Sequence, residues 1–166
     1  MSGSNLAPAG HMQAPHFFLK IQEIKGDARP KSHENEIEIV SWSWGQTQSV
    51  FPSEARKSGG SVSMRDLQFT AVTGAASSQL LLHCAAAKRL KSAILTCEQD
   101  RGNTRHKYLT VTLSNVVISS FDIEGSSGAD LPLDRVTLKF TKLEFAFTPL
   151  AGGNFTCSWD LSLNTA

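Results

Sequence analysis

The hydrophobic and polar positions of this chain fall mostly into short runs with a period of two, the spacing of strands that bury one face. Phe17, Leu19 and Ile21 alternate with Phe18, Lys20 and Gln22 and predict a first strand. Glu36–Gly45 reads Glu-Ile-Glu-Ile-Val-Ser-Trp-Ser-Trp-Gly, rich in β-branched and aromatic residues and closed by a glycine. Ile37 and Ile39 share one face of that strand, whereas Val40, Trp42 and Trp44 share the other. Such a change of phase predicts either a bulge near Val40 or cover on both faces. Val62–Val72 switches in the same way, from Val62 and Met64 to Leu67, Phe69 and Ala71. Between these two strands, residues 45–61 hold Gly45, Pro52, Gly59 and Gly60 among serines and predict a long loop.

One stretch breaks the period of two. Ser77 supplies an N-cap, and Gln79-Leu-Leu-Leu-His-Cys-Ala-Ala-Ala87 is rich in strong helix formers, so a short helix is expected over about 77–90. Apart from His83 it is apolar all round and should be largely buried. Lys88, Arg89 and Lys91 then suit the negative end of its dipole. Beyond it the pattern returns to strands. Ala93, Leu95 and Cys97 share a face, Arg101-Gly-Asn103 turns the chain, and Leu109, Val111 and Leu113 alternate with Thr110, Thr112 and Ser114. Val116–Ile123 continues as a strand up to a Gly125-Ser-Ser-Gly128 loop. Val136, Leu138 and Phe140 change phase to Leu143, Phe145 and Phe147, and Phe155, Cys157, Trp159, Leu161 and Leu163 alternate with polar residues at the end. Many short strands and one helix predict a mainly β fold: a small β-barrel of two antiparallel sheets with one flanking helix.

Composition narrows the function classes. The chain has 166 residues, 40% of them hydrophobic, which suits one domain able to bury a sizeable core. A formal charge of +1 supplies no global attraction to nucleic acid or an anionic membrane. No apolar run approaches the roughly 20 residues that span a bilayer. Residues 1–11 resemble an appended leader, with the natural start at Met12 and a single domain over 12–166. Cys84, Cys97 and Cys157 form no Cys-x-x-Cys pair, which argues against a disulfide framework and for folding in a reducing cytosol.

Candidate chemistry is sparse. His33-Glu34-Asn35-Glu36 gathers polar groups, yet it is not a His-Glu-x-x-His helix and reads as solvated loop. His83 reads as a structural histidine in a buried helix, and the three cysteines as small core residues. Neither Gly59-Gly60 nor Gly125–Gly128 is followed by the lysine and helix of a phosphate loop. Arg101, Arg105, His106 and Lys107 form a basic turn without the interleaved aromatics of a nucleic-acid site. No catalytic residues, metal ligands or cofactor motif emerge, and an enzyme is not expected. The remaining readings are a hydrolase using His33 or His83, and a monomeric carbohydrate- or small-ligand-binding barrel that stacks sugars on Trp42 and Trp44.

The residues Phe18-Leu-Lys-Ile21, Lys25-Gly26, Glu36-Ile37, Ser41-Trp-Ser-Trp-Gly45 and Asp66-Leu-Gln-Phe-Thr70 resemble, in that order, the haemolysin-coregulated protein (Hcp) family of type VI secretion systems. The helix ending at Lys88, Tyr108-Leu-Thr-Val-Thr112 and Phe155–Asp160 agree, so the likeness runs from about Phe17 to Leu161. The resemblance implies a β-barrel with a helix on its flank, assembled as homohexameric rings that stack into a tube. It also implies effectors carried in the lumen, a contractile sheath and tip proteins as further partners, and no nucleic acid, membrane insertion or cofactor. Such a protein would occupy the bacterial cytoplasm before firing and then be secreted without a signal peptide, here as a plain tube subunit with no toxin domain. By strand parity, Trp42 and Trp44 would join Trp159 in the core, leaving Ser41 and Ser43 toward the lumen and its cargo. Glu54, Arg56 and Lys57, in a loop less glycine-rich than is usual in the family, would contact the next ring.

Overall fold

Two long strands carry the architecture of this computed structural model, which describes residues 14–49, 62–128 and 130–165. In chain order these residues form β1 (His16–Ile21), a single 3-10 turn (Lys31–His33), β2 (Ile37–Ile39), β3 (Ser41–Ser43), β4 (Gln46–Gln48), β5 (Val62–Met64), β6 (Leu67–Val72), α1 (Ser77–Ala85), β7 (Arg89–Arg101), β8 (Thr104–Glu124), β9 (Leu133–Lys139), β10 (Lys142–Phe147) and β11 (Phe155–Asp160). β7 and β8 are the long pair, closed by a tight turn in which Gly102 takes φ 58, a conformation that costs glycine nothing.

The expected strands over 109–114 and 116–123 are one strand. Its buried residues change parity from Leu109, Val111 and Leu113 to Val116 and Ile118, and the change falls at Asn115, which stands at φ 53. Asparagine tolerates that left-handed backbone, and here its amide also donates to Thr141 Oγ1 at 2.9 Å. β7 changes parity at the same level, from Leu95 and Ala93 to Leu90. The bent pair then divides its neighbours: residues 109–114 of β8 pair with β10, and residues 117–124 pair with β9. The phase switch between Phe140 and Leu143 is therefore the crossing from β9 to β10.

The same logic resolves the switch at Val40. β2 pairs with β1 and β3 pairs with β6, so Val40 is a corner between two strands. Nine strands form one antiparallel sheet along the path β2-β1-β7-β8-β9-β6-β3, with β10 and β11 branching from β8. The sheet curls until its two ends meet through that corner, but no ladder joins β2 to β3. The mainly β class with two antiparallel sheets holds, and the expected closed barrel is an open curl. The second sheet is the β4–β5 pair, so Gln46–Gln48, read as loop, is strand. Inside the curl, Leu19, Leu67, Phe69, Leu95, Val116, Ile118 and Leu138 are essentially inaccessible.

The helix is shorter than expected and is not buried all round. It ends at Ala85 because the chain makes a Schellman-type stop: Lys88 N–H donates to the His83 carbonyl, and Ala87 N–H to Cys84. Ala87 takes the left-handed position, at φ 48, where glycine is the usual signal. Arg89 already belongs to β7. Ser77, Leu80 and His83 face the sheet, whereas Leu81 and Leu82 are more than half exposed. Ser77 does not cap the helix by a side-chain bond. Its hydroxyl accepts from Gly74 N–H and donates to the fully buried Asp134 at 2.5 Å, and Asp134 accepts from Thr73 as well. That carboxylate fastens the start of the helix to β9.

Candidate functional site

The ladder of β3 on β6 separates two surfaces. Ser41 stands opposite Thr70 and Ser43 opposite Gln68, and the adjoining β9 positions are Arg135 and Thr137. Ser41 and Ser43 are exposed, and the Ser41 and Thr70 hydroxyls lie 2.5 Å apart. The serine face is a shallow polar surface with two open concavities of about 280 and 500 Å³, both touching Ser43 and Gln68. Lys139 and Asp66 border the larger one, with Trp44 and Met64 at its edge, and Asp66 accepts from Ser119 at 3.2 Å. Arg135, at the smaller, is paired with Glu124 at 3.2 Å. Charges of both signs are thus interspersed among hydroxyl and amide groups, and the surface stays wettable.

Trp42 points the other way. It lies opposite Phe69 on the ladder and meets the Phe17 ring edge-on, with centroids 6.2 Å apart at 88°. Trp44 follows the end of β3 and lines an apolar groove of about 490 Å³ with Met64, Leu143, Phe145, Cys157 and Trp159. All three indoles are half-buried, and Trp42 and Trp44 pack against the central core. The indole N–H groups of Trp44 and Trp159 are shielded from water and have no hydrogen-bond partner among the described residues. Trp42 is packed on Phe17 and Phe69, so Trp42 and Trp44 do not present the paired open stacking platform that a sugar-binding reading needs. Glu54, Arg56 and Lys57 lie outside the described residues.

The other candidates are placed as follows. His33 is not solvated: it is 3% exposed, between Glu36 and Glu98. His83 is buried, and its Nδ1 donates to the Gln79 carbonyl at 2.7 Å, so it is tied to its own helix. Cys97 is inaccessible, and burial pushes its thiol up to about 12, which leaves it un-ionised and inert at neutral pH. Cys84 is half-buried, and Cys157 is exposed rather than in the core. No group of histidine, cysteine and carboxylate side chains among the described residues is arranged to hold a metal ion.

What the alternation could not foretell is how much apolar surface stays uncovered. Phe155 is 65% exposed, Leu163 71% and Leu150 57%, and Phe147 stands directly opposite Phe155 on the β10–β11 ladder. β11 pairs with β10 alone, so its second edge has no strand beside it among the described residues. Val72, Leu131, Leu133 and Ile123 add exposed apolar area where β6, β8 and β9 end. Leu81 and Leu82 on the helix add further exposed apolar area.

Comparison with known proteins agrees with this geometry. Residues 18–147 match the family described as type VI secretion system effector, Hcp. The chain belongs to the Hcp family. It is 32% identical over 158 residues to the protein hcp1 of Pseudomonas aeruginosa, an alignment covering 91% of this chain and 98% of that one. Among solved structures, Hcp1 from Salmonella typhimurium superposes with a TM-score of 0.77 at 27% identity, covering 92% of this chain and 99% of the other. A type VI secretion system effector from Yersinia pestis gives a TM-score of 0.71 at 26% identity, over 87% and 98% of the two chains. By family, then, this Hcp chain is a secreted type VI tube subunit, and the family is structural rather than enzymatic. No helix among the described residues is long and apolar enough to cross a membrane.

Proposed function

We propose that this Hcp chain closes into hexameric rings that stack into the inner tube of a type VI secretion system and carry effector proteins in the lumen. The observation that carries the reading is the two-sidedness of β3. Trp42 packs inward on Phe69 and Phe17, and Ser41 and Ser43 lie exposed among Gln68, Thr70 and Thr137. A lumen lined by such small hydroxyl and amide side chains stays hydrated and unobstructed, which suits varied folded cargo. The uncovered patches at Phe155, Leu163 and Leu82 supply the unlike apolar surfaces that a ring of identical subunits buries between neighbours. In this reading Ser41 and Ser43 contact cargo, and Glu54, Arg56 and Lys57 contact the next ring. The sheath and tip components are the further partners, met in the cytoplasm before secretion.

Electron microscopy and light scattering of the purified chain test the assembly: annular particles of six-subunit mass are expected, and a monomer at micromolar concentration would refute it. Ser43→Arg tests the lumen. The substituted chain should still form rings, since an exposed polar strand position tolerates a hydrated guanidinium, while effector co-purification changes. Unchanged cargo binding with intact rings would remove Ser43 from the lumen. Shortening residues 50–61 should leave single rings intact and weaken tubes, and loss of the rings themselves would move that segment to the lateral contact or the fold.

A further inference from the structure

The loop between β1 and β2 covers a second, smaller packed region on the outer face of β1 and β7. Its base is closed by two backbone bonds, Gly26 N–H to the Asn35 carbonyl at 2.9 Å and Ala28 N–H to the Glu36 carbonyl at 3.0 Å. His33 is the residue it inserts. The imidazole lies flat on the Phe18 ring, with centroids 3.9 Å apart at 7°, and Phe18 is fully buried beneath it. Nδ1 of His33 is 2.7 Å from Glu36 Oε2. Nε2 stands 3.0 Å from Glu98 Oε1, an ion-pair contact not aligned as a full hydrogen bond. Glu98 is itself 6% exposed, at the point where the β7–β8 register slips, and its Oε2 has no hydrogen-bond partner among the described residues.

The donor inventory decides what this arrangement needs. Ionised carboxylates only accept, and a neutral imidazole offers one donor and one lone pair. A neutral His33 would therefore turn a lone pair toward one of the two carboxylates in a water-poor site. An imidazolium meets both with a proton. We infer that His33 is a proton-operated catch: doubly protonated, it holds the 25–36 loop on β1 and β7, and loss of the second proton loosens the loop and uncovers Phe18.

The surrounding charges do not cancel this logic. On the loop itself, Lys31 and Glu34 are exposed. Across Phe18, His16 stacks at 6.4 Å and the Arg105 guanidinium lies 6.0 Å from the ring centroid. Both are tied to Asp100 on β7, at 2.9 and 3.0 Å. Lys107 stands opposite Glu98 on the ladder but is exposed and makes no ion pair with it. The groups in direct contact with His33 are two carboxylates and an aromatic face, and none of the three is placed to donate to a bare ring nitrogen. The grip is present on the acid side and is lost as pH rises.

Histidine-selective ¹⁵N NMR of the full chain at pH 7 reads the state directly. Both His33 ring nitrogens should show proton-bearing shifts, and a single protonated nitrogen would overturn the inference. Hydrogen exchange of residues 28–36, corrected for intrinsic rates, reads the consequence. Protection should fall about tenfold between pH 6 and pH 9, the low end of what a polar contact to a charged group contributes. In Glu98→Gln, whose amide can serve a neutral imidazole, that fall should disappear. A flat profile in the unaltered chain, or an unchanged slope in Glu98→Gln, would count against the catch. Should Glu98→Gln not fold, the ring-nitrogen shifts and the unaltered chain's exchange profile still decide.

Discussion

Replacing Trp42 by alanine separates the packed face of β3 from its exposed face with a calculable cost. The side chain carries on the order of 200 Å² of surface, and about two-thirds or more of it is removed from water, which is about 3–4 kcal/mol. The edge-on contact with Phe17 at 6.2 Å adds about 0.5–1 kcal/mol, and incomplete collapse onto Phe69 leaves part of a cavity. The sum is about 4 kcal/mol, a large share of the roughly 5–15 kcal/mol that ordinary domains possess. In a chain of this length that corresponds to a drop in melting temperature of about 8–16 °C. Ser43→Arg, one residue on but on the opposite face, should shift stability by no more than about 0.5 kcal/mol. The assay is urea unfolding followed by tryptophan fluorescence and circular dichroism together, at one fixed protein concentration because self-association adds to apparent stability. If Trp42→Ala costs less than about 1 kcal/mol, or Ser43→Arg costs more than Trp42→Ala, the assignment of the two faces is wrong.

Ala87→Gly should stabilise the chain by about 0.5–1 kcal/mol, since Ala87 closes the helix at φ 48 and glycine relieves that strain; a lower urea midpoint would show that the Schellman stop is not a source of strain. Gly26→Ala should be strongly destabilising, by about 2–4 kcal/mol, because a Cβ there would run into the Glu36 carbonyl and the Ile37 nitrogen across the loop base, and a normal melting temperature would refute this. Asp134→Ala leaves the Thr73 and Ser77 hydroxyls without their buried acceptor and should cost about 2–3 kcal/mol, measured as the change in unfolding free energy between the two chains. Asp100 is held below the ordinary carboxylate range by its hydrogen bond from His16 and, next, by Arg105. A carboxylate lowered in the folded state contributes stability above its unfolded value and loses it as pH falls through the folded one. Asp100→Asn should therefore lower stability at neutral pH, where the contribution is present, and converge with the unaltered chain as pH falls, which flattens the acid limb; an unaltered acid limb would exclude the contribution.

Local pattern was enough for much of the chain. Alternation from Ala93 to Leu113 around Arg101-Gly-Asn103 specifies a hairpin, because period two puts one set of residues on the core and a glycine in the left-handed region turns the chain. The parity of Ser41, Trp42 and Ser43 likewise sets two serines against one indole whatever the strand packs on. The Trp-Ser-Trp-Gly segment and its neighbours also carried the family likeness. The sequence could signal a phase change at Val40, between Met64 and Leu67, and between Phe140 and Leu143, but not its cause. Each turned out to be a handover between partner strands, and partner choice is a long-range matter. The early end of the helix was hidden because alanine, not glycine, occupies the left-handed position at 87. His33 looked like part of a polar loop, since nothing adjacent to it announces Glu98, 65 positions later, or the flat contact with Phe18. The last strand shows the limit most plainly. Phe155 and Cys157 alternate as a core face would, yet they are exposed here, because alternation records which side of a strand is apolar and only the tertiary structure decides what, if anything, covers it.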